Sequence, residues 1–195
     1  DTWKARVADA ALSVGAALVN DVTGLTGDPD MAAVVAQHGA PVIIVHNPRG
    51  AHGTDRPWTQ RYRDLLADIL SWLSRQIDSA LAAGVAWENI LLDPGIGFAK
   101  TPAQNLELLR RLPELRALNR PLVVGISRKR TIARVLGLPA DAPPRELLEG
   151  TAAAAALCIA GGADIVRVHD VAAMARAARM ADAIVRGPRA TRPML

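Results

Sequence analysis

The feature that most constrains the fold is an alternation of short apolar runs with longer helical patterns along the whole 195-residue chain. Each run is rich in Val, Ile or Leu at successive positions, as a strand must be when both of its faces are buried in a parallel sheet. The repeating unit is therefore a strand followed by a helix. The predicted strands are 16–21, 41–47, 89–95, 121–127 and 163–170, and the predicted helices are roughly 4–14, 29–38, 61–83, 103–118, 145–160 and 171–186.

Polar side chains gather where each predicted strand ends. The five runs end, in chain order, in Asn20-Asp21, His46-Asn47, Asp93, Ser127-Arg128-Lys129 and Arg167/His169-Asp170. A (βα)8 barrel carries its chemistry at the C-terminal ends of its strands, whereas an open sheet concentrates its site at one switch point. Polar groups at all five ends favour the barrel, although the start of any loop also attracts polar residues.

Composition argues against several classes of protein. Half of the residues are hydrophobic, which is unlike a disordered chain, and the net charge of +4 is spread along the sequence, unlike a nucleic-acid footprint. No apolar run reaches the roughly 18 residues that a membrane span needs. Cys158 is the single cysteine, so an internal disulfide is excluded and a reduced, cytoplasmic setting is predicted. We expect one domain over residues 1–195, with neither nucleic acid nor membrane as a partner.

Four segments occur in an order and at a spacing typical of one known family. They are DTWKARVADAALSVGAALVNDVTG, DPGIGFAKTPAQN, GISRKRTIARVLG and GGADIVRVHD. With them the sequence resembles the dihydropteroate synthase family of folate biosynthesis over essentially its whole length, and DPGIGFAKT together with SRKR is highly specific. The resemblance implies a TIM (β/α)8 barrel. This sequence would hold about its last five βα units, N-terminally incomplete, because Asp1 matches a residue just past the family's third strand.

The resemblance also implies an activity and partners. The family is a transferase that joins 6-hydroxymethyl-7,8-dihydropterin diphosphate to 4-aminobenzoate and releases pyrophosphate, with Mg²⁺ accompanying the diphosphate. It is commonly dimeric through its last helices, and segment 174–185, rich in small residues, suits such a homodimer contact. Three departures from the family pattern are mild: Ala99 stands where glycine is usual, VHN (45–47) stands where Met-His is often found, and Thr131 stands where an aromatic or aliphatic residue is common.

Asp93 is predicted to bind the edge of the pterin. A carboxylate accepts two parallel N–H donors at once, and the pterin edge offers its 2-amino group and N3–H. Pro94 stiffens the following turn, while Gly95 and Gly97 let the backbone approach a flat ligand closely. The Asp-Pro pair also has a plain interpretation as a turn or helix cap. Turn chemistry alone does not require the Phe-x-Lys that follows.

Lys129 is predicted to be the second pterin contact. The chain has 20 Arg and only 3 Lys, so each lysine indicates a place where a compact ammonium suits better than a planar guanidinium. Donation to the pterin O4 or N5 is such a place. Chance remains the alternative, and for Lys4 and Lys100 it weighs as much as function.

Further contacts are implied by the resemblance alone. Asn20 would face the pterin ring and Asp1 would lie at the rim of the same pocket, although Asn20-Asp21 also reads as a plain turn. Phe98, the only phenylalanine, would stack near the aminobenzoate, which would also contact the Lys129-Arg130 backbone.

Arg167 and His169 predict an anion site. They are two residues apart on one strand, so their side chains project to the same side. With the N-terminus of the helix that follows from Val171, they suit a diphosphate; His169 as an ordinary strand-end histidine is the alternative. Neutralising the leaving pyrophosphate needs no nucleophilic residue, so the predicted catalytic groups are Lys129, Arg167 and His169. The sequence shows no cluster of His or Cys metal ligands.

Two other functions stay open. A pterin-binding methyltransferase domain shares the barrel and the pterin pocket, but methyl transfer needs no diphosphate site, which the SRKR and RVHD segments predict. A non-catalytic paralogue or a fragment that acts as a binding module is the alternative from a different class, because the family's first strands have no counterpart in this sequence. We expect little turnover from the isolated fragment.

Overall fold

The computed structural model describes residues 1–49 and 61–187 and shows five strands and seven α-helices in those ranges. The strands are β1 Val19–Asp21, β2 Val42–Val45, β3 Ile90–Asp93, β4 Val123–Val124 and β5 Ile165–Val166. The helices are α1 Ala5–Ser13, α2 Met31–Gln37, α3 Leu65–Ala82, α4 Pro102–Arg110, α5 Arg130–Val135, α6 Leu148–Ala160 and α7 Val171–Arg186. Every strand lies within its predicted run.

The strands are all parallel and follow one another in chain order. β1, β2 and β3 form one sheet, in which Val45 lies beside Asp93, and β4 pairs with β5 in a second sheet. A bridge between Leu92 and Leu122 joins β3 to the start of the β4 segment. The prediction of an α/β chain with parallel strands is confirmed, while across residues 1–49 and 61–187 the strands do not close into a barrel. Parallel pairing brings the C-terminal ends of the strands to one side, where the polar residues lie.

Two of the helix predictions need correction. The predicted helix 103–118 is α4 followed by a 3₁₀-helix over Leu112–Leu118, because Pro113 lacks an N–H and its ring clashes with the carbonyl four residues earlier. The six-residue α5 was missed, since so short a segment shows little helical periodicity. The predicted helix 145–160 begins as a 3₁₀ turn, Pro144–Leu147, before α6.

Local capping fixes where α3 and α4 begin. The Asp64 carboxylate accepts hydrogen bonds from the backbone N–H groups of Leu66 and Ala67, which fixes the start of α3. Thr101 and Gln104 form a reciprocal capping box at the start of α4, with Pro102 at the first helical position. The loop after β3 is thereby bounded on its C-terminal side by a well-defined helix start.

The hydrophobic core lies between the strands and the helices. Leu92 on β3 is fully buried, as are Ile69 and Leu73 of α3 and Leu108 of α4. The same cluster extends through α6 to Cys158. The core therefore supports the strands from the helix side and leaves their C-terminal ends free to carry polar groups.

Leu92→Ala should lower the free energy of unfolding by about 2 to 5 kcal/mol, because it opens a cavity at the centre of β3. Urea unfolding followed by circular dichroism measures the change. Val14→Ala, at a side chain that is 87% exposed, is the control and should stay within about 0.5 kcal/mol of the unaltered protein. Equal effects of the two substitutions would contradict the assignment of Leu92 to the core.

Candidate functional site

Asp93 is a buried carboxylate at the end of β3, where three cationic side chains act on it. Its Oδ1 accepts a hydrogen bond from the Gly95 N–H at 2.7 Å. Burial raises the pKa of Asp93 above its ordinary value, and the Gly95 N–H and the charges of Arg167, Lys129 and Lys100 oppose that rise. The sequence placed an acid here, and the tertiary structure surrounds it with positive charge from three different loops.

Lys129 packs against the loop that follows Asp93. Its Nζ is 4.7 Å from the centroid of the Phe98 ring, within cation–π range. A Cβ atom added at Gly97, whose φ is +83°, would lie 3.1 Å from Cδ of Lys129, so the glycine lets the loop pack against the lysine stem. Burial lowers the pKa of Lys129, and the attraction of Asp93 opposes that shift.

Lys100 anchors the same loop from below. It is fully buried, and its Nζ lies 2.8 Å from Nδ1 of His46, 3.0 Å from the Gly95 carbonyl oxygen and 3.2 Å from the Phe98 carbonyl oxygen. Three acceptors match the three N–H groups of an ammonium. Gly95 has a φ of +72°, and a Cβ there would lie 2.0 Å from the His46 carbonyl oxygen, so no larger residue fits.

Burial also sets the protonation of Lys100 and His46. It lowers the pKa of Lys100 from 10.5 to about 7, despite the opposing attraction of Asp93. Burial and the neighbouring Lys100 hold the pKa of His46 well below 6.5. The imidazole is therefore neutral near pH 7, and its Nδ1 can accept a hydrogen bond from Lys100. His46 also packs edge-on against Trp72, with ring centroids 5.0 Å apart.

Arg167, Asp1 and Asn20 form a second group at the strand ends. NH1 of Arg167 is 4.0 Å from Oδ2 of Asp1, whose Oδ1 accepts a hydrogen bond from Nδ2 of Asn20 at 3.0 Å. The Arg167 guanidinium packs over Gly125, where an added Cβ would lie 3.2 Å from NH2. Oδ1 of Asn20 and Nε of Arg167 are buried and have no hydrogen-bond partner among the described residues. One acceptor and one donor are thus left for a ligand.

His169 is held by Ser127, in the loop that follows β4. The prediction that Arg167 and His169 lie on one strand is wrong, because β5 ends at Val166 and both residues follow it. The Nδ1 of His169 is 3.0 Å from Oγ of Ser127, which also accepts a hydrogen bond from the His169 backbone N–H at 3.2 Å. Arg128 and Asp170 form a bidentate ion pair next to this contact, at 2.8 and 3.2 Å. A cavity of about 290 Å³ opens here, lined by Gly125, Ser127, Arg128, Lys129, Arg167 and His169. Its lining carries excess positive charge, which suits an anion.

The structure brings most of the predicted site residues together. Those at the strand ends and on the loop after β3 are Asp1, Asn20, Asp93, Phe98, Lys129, Arg167 and His169. Arg130 begins α5 with an exposed side chain, and the hydrogen bonds and ion pairs of the described residues do not link it to this group. Its backbone contact with aminobenzoate stays a prediction.

Asp21 has the turn role that the sequence allowed for the Asn20-Asp21 pair. Its Oδ1 accepts hydrogen bonds from the backbone N–H and the hydroxyl of Thr23, and its Oδ2 accepts one from the Leu25 N–H. The carboxylate therefore closes the loop after β1. Asn20, one residue earlier on the strand, turns its amide towards Asp1 instead.

Sequence reasoning assigned no role to three residues that shape the site. Lys100 carried a signal, as one of three lysines in a chain rich in arginine. Asn105 carried a weaker one, because asparagine is a poor helix former inside a helix such as α4. Ser127 was noted only as a polar strand end, and nothing in the sequence predicted its contact with His169.

In residues 1–49 and 61–187, no group of three or more His, Cys, Asp or Glu side chains is placed to hold a metal ion. The helices in those ranges include none with the length and apolar character needed to cross a membrane.

Comparisons with known proteins agree on one family. A family model described as "Pterin binding enzyme" matches residues 1–169. The dihydropteroate synthase of Synechocystis is 50% identical over 95% of this chain, and that of Bacillus subtilis is 47% identical over 95%. The chain spans 63% and 60% of the lengths of these two relatives.

Solved structures give the same result. Dihydropteroate synthase from Clostridium difficile, determined in the presence of pteroic acid, is 45% identical and superposes with a TM-score of 0.86 over 95% of this chain and 66% of that one. The enzyme from Xanthomonas albilineans, with 4-aminobenzoic acid, is 37% identical and has a TM-score of 0.85 over 96% of this chain and 64% of that one. The enzyme from Thermus thermophilus is 41% identical, with a TM-score of 0.82 over 94% of this chain and 69% of that one.

The contribution of His46 to the free energy of unfolding should fall as the pH is lowered from 6.5 towards about 5. Unfolded His46 takes up a proton below its ordinary pKa of 6.5, whereas the buried imidazole does not, so the unfolded state binds more protons. The contribution of His46 is up to about 1.4 kcal/mol per pH unit. His46→Asn keeps an acceptor for Lys100 without titrating, so its stability should fall less steeply. Urea unfolding at a series of pH values measures both slopes; identical slopes would contradict a neutral, buried His46.

Proposed function

The chain belongs to the pterin-binding enzyme family, among its dihydropteroate synthases, and from this membership we propose the activity of the protein. It condenses 6-hydroxymethyl-7,8-dihydropterin diphosphate with 4-aminobenzoate and releases pyrophosphate. The observation that carries the proposal is a buried carboxylate, Asp93, in the same site as an acceptor on Asn20 and a donor on Arg167 that have no partner among the described residues. A pterin diphosphate offers complementary groups at its two ends.

The pterin end of the substrate suits Asp93, Asn20 and Lys129. The 2-amino group and N3–H of the ring donate, so a carboxylate and the Oδ1 of an asparagine are matching acceptors. The Lys129 ammonium donates to O4 or N5. Burial of Asp93 strengthens these hydrogen bonds, because the surroundings of the carboxylate have a lower dielectric constant than water.

The diphosphate end suits Arg167 and His169. The Nε of Arg167 lacks a partner within residues 1–49 and 61–187, and His169 is held in place by Ser127. The N-terminus of α7, which begins at Val171, adds partial positive charge. These groups stabilise the charge that builds up on pyrophosphate as it leaves, which is the largest electrostatic demand of the reaction.

The reaction then proceeds without a nucleophilic side chain. The bond between the methylene carbon and the diphosphate oxygen breaks, and its electron pair leaves with pyrophosphate. The electron-rich pterin ring stabilises the resulting methylene cation. The amine of 4-aminobenzoate, placed near Phe98 and the backbone of Lys129-Arg130, attacks this carbon and afterwards loses a proton.

Mg²⁺ enters the proposal only as a companion of the substrate. No protein cage of three or more acidic, His or Cys ligands exists within residues 1–49 and 61–187, so the ion would arrive on the diphosphate and keep most of its waters. Its charge would add to that of Arg167. No step above depends on it.

The architecture of the whole protein is part of the same proposal. The five parallel strands form an arc of a TIM barrel, and residues 1–195 belong to one pterin-binding domain. The protein is a homodimer; the support for this is the exposure of three large apolar side chains, Leu157 on α6 and Met180 and Ile184 on α7. A cytoplasmic location is supported by Cys158, a buried free thiol whose pKa burial raises to about 12.

The cationic cavity favours diphosphate chemistry over the methyltransferase alternative. Arg128, Lys129, Arg167 and His169 line one cavity, and transfer of a methyl group offers no anionic leaving group of that size. A condensation assay on the full-length protein, with pterin diphosphate and radiolabelled 4-aminobenzoate, tests the function. Absence of labelled product, while pterin still binds, would favour a non-catalytic binding module.

Asp93→Asn should weaken binding of a pterin by about 2 to 3 kcal/mol, because the amide presents an N–H to the donor edge of the ring. Isothermal calorimetry with a pterin ligand measures the change. The matched control is Asp164→Asn, since Asp164 accepts a hydrogen bond from the Leu122 N–H beside the opposite ends of the strands. Unchanged affinity in the Asp93 variant would contradict its role in recognition.

Arg167→Ala should weaken the binding of pyrophosphate roughly 10- to 100-fold, because charge-assisted hydrogen bonds to the leaving group are lost. A pterin without the diphosphate should bind nearly as before. Competition binding with each ligand measures the two effects. Arg120→Ala serves as the control, since Arg120 stacks on Trp87 away from the strand ends that carry the site. Equal losses for both ligands in the Arg167 variant would indicate a folding defect and overturn the anion site.

A further inference from the structure

Asn105 joins the loop after β3 to the first turn of α5, which directly follows the loop that carries Lys129; both loops contribute residues to the candidate site. The side chain belongs to α4 and is 1% exposed. Its Oδ1 accepts a hydrogen bond from the Gly97 N–H at 2.9 Å, and its Nδ2 donates to Oγ1 of Thr131 at 3.1 Å. A backbone N–H can only donate, so the Gly97 contact fixes the orientation of the amide and leaves Nδ2 facing Thr131.

The helix itself does not need an asparagine at this position. Asparagine is a poor helix former in a helix interior, where its side chain competes for backbone groups. The start of α4 is already fixed by the capping box of Thr101 and Gln104. Both hydrogen bonds of Asn105 go to residues outside α4, so they stabilise the position of Gly97 relative to Thr131 and not the helix.

The two loops also touch inside the site, next to the residues that Asn105 holds. Gly97 packs against the stem of Lys129, and its neighbour Phe98 lies under the Lys129 ammonium, with 4.7 Å between Nζ and the ring centroid. Thr131 follows Lys129 by two residues, within the first turn of α5. The contacts therefore form a closed circuit that runs from Asn105 through Gly97 and Lys129 to Thr131 and back to Asn105.

We propose that Asn105 is a positioning residue that sets the spacing between Phe98 and Lys129, and with it the subsite for the aromatic amine. The kinetic part of this inference rests on the proposed function. Asp93 does not depend on the link, because its turn is held separately by the Gly95 N–H and, beneath the loop, by Lys100. Loss of Asn105 should therefore affect the aromatic amine much more than the pterin.

The test compares Asn105→Leu with Gln104→Ala in the full-length protein. The first removes both hydrogen bonds at nearly constant volume; the second weakens the capping box one residue earlier and leaves both loops tied. Both should lower thermal stability, but only Asn105→Leu should raise KM for 4-aminobenzoate, on the order of tenfold, with pterin affinity little changed. An equal rise of KM in the two variants, or a matching loss of pterin affinity, would overturn the proposal.

Thr131→Val supplies a milder second variant if the leucine protein fails to fold. It removes only the link to α5, so KM for 4-aminobenzoate should rise less than in Asn105→Leu. Thr131→Ser keeps the hydroxyl, so its KM should be close to that of the unaltered protein. In a double-mutant cycle the effects of Asn105→Leu and Thr131→Val should be strongly non-additive, since both break one bridge. Additive effects would overturn the proposal.

A nuclear Overhauser effect between the Phe98 ring and the Lys129 side chain gives a readout that needs no catalysis. It should weaken in the Asn105 and Thr131→Val variants and persist in Gln104→Ala. Persistence in all three would overturn the positioning role even in an active enzyme. If the unaltered protein performs no condensation but this pattern is seen, the positioning role stands and the proposed function fails.

Discussion

The buried ammonium of Lys100 is the interaction on which the arrangement of the site depends. It holds two carbonyl oxygens of the loop after β3 and the imidazole of His46 at the end of β2, with no water-exposed surface of its own. Burying an ammonium is costly, and the drop in the pKa of Lys100 to about 7 reflects that cost. The three hydrogen bonds offset that cost, and two of them hold backbone carbonyl oxygens of the loop that carries Phe98.

Around that anchor, side chains tie each strand end to a neighbour. Asn105 connects the loop after β3 to α5, Ser127 connects β4 to His169, and Asp1 lies between Asn20 and Arg167. Parallel pairing alone fixes the strands but leaves their loops independent. These links convert separate loops into one frame, which suits a site that must hold groups in place to within a fraction of an ångström.

Within this frame, two buried polar atoms make no hydrogen bond to the described residues. The buried Oδ1 of Asn20 and Nε of Arg167 lack partners among the described residues, while the carboxylate of Asp93 sits among cations with its pKa raised by burial. Each of these costs free energy in the absence of a ligand. Such a cost is ordinary at a binding site, because a ligand with complementary donors and acceptors recovers it on binding.

The sequence by itself determined the strand order, the parallel α/β class and most of the polar strand ends, since unbroken Val, Ile and Leu runs admit few alternatives to buried parallel strands. It also singled out Lys129, Arg167 and His169, because Lys, Arg and His directly after such runs are hard to explain by loop formation alone. Asp93 stood out because a turn by itself does not require the Phe-x-Lys that follows. It did not show that Lys100 holds the loop after β3, that Asn105 links this loop to α5, or that Ser127 contacts His169. Those roles join residues 54, 26 and 42 positions apart. Only the tertiary structure decided them, because contacts at such separations are set by how the strands and helices pack and leave no periodic trace in the sequence.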